Sequence, residues 1–168
     1  MTNQQSFFKR WPWLLLTVVT TILLLYMTLY SWRHSLRNDV NLIPLAHKGL
    51  AIHCLATDTC HNSHRTARYL VVDLVGNVVA FIPLGLGLAG LIHREQWQTT
   101  LTIVIISGFI LSFTIETLQL MIPSRASDVD DLIFNTLGAT IGVSIYLSYR
   151  FIYDLGVTNW QETVTSKS

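Results

Sequence analysis

Charge is what this sequence has least of. Only 12% of its 168 residues are Asp, Glu, Lys or Arg, while 51% are hydrophobic. A soluble domain carries about 25% charged residues. The deficit excludes a surface that faces water on all sides, and the mean hydropathy of +0.44 agrees with that. Basic charge is scarce too. The formal net charge is +1, so nothing supplies the positive field that a nucleic-acid partner needs. Two cysteines exclude a disulfide-built scaffold. No internal repeat, low-complexity tract or separating linker divides the chain, so residues 1–168 read as a single membrane domain. No serine elbow and no paired catalytic cysteine and histidine is present.

What is there is apolar runs. A helix needs about 20 apolar residues to cross the hydrocarbon core. Four segments have that character: about residues 12–30, 69–92, 100–122 and 132–153. The first contains no charge, follows Lys9 and Arg10, and is bordered by Trp11, Trp13, Tyr26, Tyr30 and Trp32, as suits residues at a headgroup boundary. A cleavable signal peptide would end on small residues. Tyr26-Met27-Thr28-Leu29-Tyr30 does not, so the segment reads as an uncleaved anchor. The second carries Gly76, Gly85, Gly87 and Gly90, which permit close helix approach in lipid, and Pro83, which predicts a kink. The fold class expected is all-α: a polytopic bundle of about four transmembrane helices.

The connections are unequal. Residues 31–68 read as a long polar loop with Arg33, Arg37, Lys48, Arg65 and Arg68. Residues 93–99 form a short turn, and 123–131 a compact acidic loop. Residues 154–168 read as a polar, frayed tail. Four spans place the N-terminus, the 93–99 turn and the tail on one side, and the other two loops opposite. Lys9 and Arg10 favour a cytoplasmic N-terminus in the cell membrane. Cys54 and Cys60 lie in the long loop beside His53, His61 and His64. A disulfide, free thiols and a zinc site are all open readings, the first being the plain one if that loop is extracytoplasmic.

Polar residues inside a bilayer are costly unless paired or facing a polar cavity. Here they collect at one end. Asp73 and Asn77 open the second span, and Glu116 and Gln119 close the third. Arg125, Asp128, Asp130 and Asp131 lie in the loop that follows, and Asn135 opens the fourth. Ser112, Glu116 and Gln119 are spaced four and three apart and share a helix face. Asp128, Asp131, Asn135, Gly138 and Gly142 keep the same rhythm if a helix starts near Asp128. That residue then serves as N-cap, with Asp131 at the positive end of the dipole. The expected result is a small acidic cavity with Arg125 at its mouth. Pairing of these groups as interhelical glue, worth about 1 kcal/mol per bond, is the competing reading.

Three segments carry a family resemblance. They are NLIPL (41–45), NVVAFIPLGLGL (77–88) and SFTIETLQLMIPSRASDVDDLIFNTLGATIG (112–142). Together they resemble the VanZ-like family, named for a teicoplanin-resistance protein, over residues 41–145. The third holds Glu116, Gln119, Arg125, Asp128, Asp131, Asn135, Gly138 and Gly142 in family spacing. The stretch 53–64 is not part of the pattern. The resemblance brings no glycopeptide resistance to this chain. It does reinforce a ligand-binding set of Asn77, Glu116, Gln119, Arg125, Asp128, Asp131 and Asn135.

Three functions follow as expectations. The first is a cell-envelope protein that binds or modulates a lipid-linked precursor among its membrane lipids, with Arg125 holding a phosphate. The second is an enzyme on a lipid-linked phosphate or acyl substrate. There Glu116, Asp128 and Asp131 are catalytic candidates or ligands of a divalent metal, and Arg125 stabilises charge. The third is an ion pathway, disfavoured because the opposite end lacks a matching polar cluster. No cofactor is indicated.

Overall fold

The computed structural model describes residues 3–30, 43–93, 96–122 and 128–165. Helix α1 covers Asn3–Leu25 and continues into one wider turn over Tyr26–Tyr30. The hydroxyls of Thr17, Thr20, Thr21 and Thr28 donate to carbonyls four residues earlier, at 2.6–2.8 Å. Each polar side chain is thereby satisfied within its own helix, as an apolar surrounding demands.

Helix α2, Ala46–Ala56, is the first difference from the sequence reading, which has a polar loop here. Eleven residues are too few to span a bilayer, so apolar-run logic passes over it. Helix α3, Ser63–Ile92, begins six residues before the expected span. Asn62 caps it, its side-chain oxygen accepting the Arg65 N–H at 3.0 Å. At 30 residues it is about 45 Å long, more than the ~30 Å hydrocarbon requires. The helix runs through Pro83 without interruption. Helix α4 covers Trp97–Leu120 and α5 covers Val129–Thr165. The tail expected to fray thus begins as helix: polarity ends the membrane span at Leu155, not the hydrogen-bond ladder.

Four of these five helices are long and apolar enough to cross a membrane: Arg10–Leu29, Ser63–Ile92, Trp97–Leu120 and Val129–Leu155. No strand occurs among the described residues. Large apolar side chains face outward, among them Val18, Val19 and Ile22 on α1 and Phe109, Ile110 and Phe113 on α4. Water would not tolerate so continuous an apolar exterior; lipid does. The protein is therefore a multi-pass, all-α membrane protein in contact with lipid.

α3 and α5 form the main seam, with α4 against α5 and α1 against α3. Glycine sets the distance. A Cβ on Gly138 would run into the Val78 carbonyl, and one on Gly142 into the Ile82 carbonyl. Across the seam, a Cβ on Gly85 would strike the Ala139 backbone. Small residues thus let two backbones meet, the usual source of helix affinity in lipid. Two apolar clusters fill the remaining interior: Leu24, Phe81, Leu84 and Ile115, then Ala89, Val104, Val143 and Tyr146. Tyr146 also meets the His93 ring nitrogen at 2.5 Å and the edge of Trp13, closing the α3 end of the bundle.

Candidate functional site

The end of the bundle near α2 is polar, and its assembly starts from one helix terminus. Asp128 precedes α5 and caps it: its Oδ1 accepts the Asp130 N–H and its carbonyl accepts the Asp131 N–H, both at 3.0 Å. Glu116, in the last turn of α4, accepts the Asp128 N–H at 3.0 Å. The carboxylate thus fixes where α5 begins relative to α4. On α3, the Asn77 amide donates to Asp131 at 2.7 Å.

α2 inserts a lysine into this arrangement. Lys48 Nζ lies 3.1 Å from Asp73, 3.4 Å from Asp128, 3.1 Å from Asp130 and 3.7 Å from Asp131. The Phe134 ring centroid is 5.7 Å from the same ammonium. Lys48 is 4% exposed and Asp130 fully buried. Burial alone would favour the neutral amine. Attraction to Asp73, its hydrogen bond, and the further pull of Asp131 and Asp130 outweigh that, so the Lys48 pKa is raised. One formal positive charge faces four formal negative ones.

Asp130 also accepts the Leu45 N–H at 2.6 Å. Leu45 stands immediately before α2 with φ 61°, a left-handed conformation that costs a non-glycine residue about 1–2 kcal/mol. The charge-assisted bond offsets that strain. In the last turn of α2, Cys54 is joined to Cys60 as a disulfide with Cα atoms 5.1 Å apart, and no cysteine is left free among the described residues. α2 is thus held at its start by Asp130, in its first turn by Lys48 and in its last turn by the disulfide from Cys54 to Cys60 on the approach to α3.

One turn deeper lies a second polar layer. Asn135 follows Asp131 by four residues, and Ser112 precedes Glu116 by four, so each pair shares a helix face. The Asn135 Nδ2 donates to Ser112 Oγ at 2.9 Å. Its Oδ1 is buried without a hydrogen-bond partner.

The sequence-derived set therefore divides. Asn77, Glu116, Asp128 and Asp131 come together, with Asp73 beside them and Asn135 below. Gln119 turns away, donating at 3.2 Å to the Thr28 carbonyl near the end of the first span. Arg125 lies outside the described residues, as do Asn41 and Leu42 of the first motif. Sequence reasoning missed Lys48 and the central place of Asp130. The available signal for Lys48 was a single lysine between apolar residues, Leu45-Ala46 before it and Leu50-Ala51-Ile52 after it. Among the described residues, no three His, Cys, Asp or Glu side chains are disposed to hold one metal ion; the carboxylates turn to the lysine instead.

No curated protein and no solved structure matches the chain. The VanZ/LLP1 family model matches residues 13–152, a stretch that includes the second and third spans whole, most of the first and fourth, α2 and every residue of the polar cluster. The match begins inside the first span, earlier than the 41–145 region delimited by motifs, and on its extent the chain belongs to the VanZ/LLP1 family.

Proposed function

We propose that the protein binds or modulates a component of the cell envelope, lipid-linked or lipid itself, through the polar cluster beneath α2. One observation carries the reading. Ionisable groups from α2, α3, α4 and α5 are gathered at one end of an apolar bundle, and a buried acceptor beneath them is left unpaired. Burying charge in such a place is a net cost against an apolar alternative, so packing alone does not call for it. The disulfide supports an extracytoplasmic position for this face, and with it a cytoplasmic N-terminus.

The enzyme reading is weaker. Its candidate base and metal ligands are engaged: Glu116 with the Asp128 amide, Asp128 and Asp131 with Lys48. The test is native mass spectrometry of lipids retained by the purified protein. Asp131→Asn and Glu116→Gln, with folded-state circular dichroism intact, should lose an envelope lipid that the wild type keeps. Identical retention by all three proteins would sink the binding reading.

A further inference from the structure

We infer that the membrane face opposite the acidic cluster carries a separate site for the headgroup of an anionic phospholipid, built from Arg10 on α1, His93 at the end of α3 and Arg150 on α5. This goes beyond the binding reading above and does not rest on it.

Three rings fix the frame. Trp13 is seated where Gly90 leaves room, since a Cβ on that glycine would strike the indole. The Trp13 ring stands edge-on to Tyr146, with centroids 5.6 Å apart. Tyr146 is 6% exposed, and its hydroxyl lies 2.5 Å from His93 Nδ1. His93 forms the C-cap of α3, its backbone N–H donating to the Ala89 carbonyl at 3.0 Å. One chain of contacts thus ties α1, α3 and α5 together at this end. Arg10 precedes Trp13 by three residues and Arg150 follows Tyr146 by four, so each arginine shares a helix face with its ring, one turn outward. Burial, with Arg150 and Arg10 close by, holds the His93 pKa below its usual value. The imidazole is therefore neutral at neutral pH. It accepts the proton of the buried Tyr146 hydroxyl at Nδ1, which puts its own N–H on Nε2, on the side away from the tyrosine.

Charge and depth name the ligand. Asp154 pairs with Arg150 at 3.8 Å, but its side chain is 64% exposed, and such a pair is weak. Two guanidinium groups against that one carboxylate leave the group cationic among the described side chains. α3 ends and α4 begins at this face, so their opposed dipoles offset one another. His93 lies about 20 residues beyond Asp73 on α3, and Arg150 as far beyond Asp130 on α5, which is ~30 Å of helix and one hydrocarbon thickness. Trp11, Trp97, Tyr149 and Tyr153 are exposed near the same level, where aromatic residues meet headgroups. An anion held at this depth is a lipid phosphate. Its oxygens accept from the guanidinium groups of Arg10 and Arg150 and from His93 Nε2–H. Phosphatidylcholine brings its own cation to the phosphate. Phosphatidylglycerol does not, and is the preferred guest.

The full-length protein is placed in nanodiscs of equal phosphatidylglycerol and phosphatidylcholine and ejected into a native mass spectrometer, and the lipids it retains are identified. Wild type should retain phosphatidylglycerol over phosphatidylcholine. Arg10→Gln and Arg150→Gln should each cut that preference roughly tenfold, the effect of one charge-assisted hydrogen bond. His93→Phe, which keeps a ring and removes the donor, should lower it as well. Arg65→Gln combined with Arg68→Gln removes exposed charge at the opposite face and should leave the preference intact. No preference in wild type, a preference indifferent to Arg10 and Arg150, or an equal loss in the Arg65 and Arg68 variant overturns the inference. A preference that falls with Asp131→Asn and with neither arginine variant assigns the lipid to the acidic cluster, which overturns the inference while the binding reading stands. A preference that depends on Arg10 and Arg150 keeps it, even where Asp131→Asn and Glu116→Gln retain every lipid that wild type does and the binding reading fails.

Discussion

Lys48 is the residue on which the cluster turns. Its removal takes the cation from the fully buried Asp130, and breaking a buried ion pair from one side costs about 3–5 kcal/mol. Lys48→Ala should therefore lower the thermal midpoint in detergent far more than Lys9→Ala. Asp130→Asn should cost more than Asp73→Asn, because Asp130 is buried and serves both Lys48 and the Leu45 N–H, whereas the Asp73 side chain is 27% exposed. pH gives a signed test. A lysine whose pKa is raised on folding contributes stability that is complete below the unfolded value of 10.5 and is lost only as pH climbs through the higher folded value. Thermal scans from neutral pH to 10.5 should show no Lys48-dependent loss, and the difference between wild type and Lys48→Met should begin to shrink only above 10.5, as pH climbs toward the folded value. The acids of this cluster were legible in the sequence because depth and helical spacing put them together. Lys48 was not, because its partners lie 25 or more positions away and α2 has no apolar run to announce it.

At the scale of elements, glycine spacing and membrane length carried most of the information. Gly138 and Gly142 are packing residues: each sits against a carbonyl of α3. Gly138→Val should strain the α3–α5 seam, at about 1–3 kcal/mol for overpacking, and lower the fraction of folded protein recovered from membranes. Helix ends were less legible than spans. Apolar patterning stops where lipid stops, while α3 begins earlier on the Asn62 cap and α5 runs on as helix to Thr165. The Cys54–Cys60 ring pins α2, and closing so short a loop is worth roughly 2 kcal/mol. Cys54→Ser with Cys60→Ser should therefore loosen α2 before the bundle, seen as faster amide exchange over 46–56 with little change in α3 and α5.

The whole molecule is an apolar bundle with an acidic end, and its family membership extends over that end and the spans beneath it. The binding reading depends on α2, the start of α3 and the start of α5 sharing a single membrane face. Reporter fusions after residues 62, 96, 127 and 160 measure that directly. Fusions at 62 and 127 should both report outside, and those at 96 and 160 inside, which places the acidic cluster toward the envelope. Fusions at 62 and 127 falling on opposite sides of the membrane would contradict the four-span arrangement and dissolve the site beneath α2 with it.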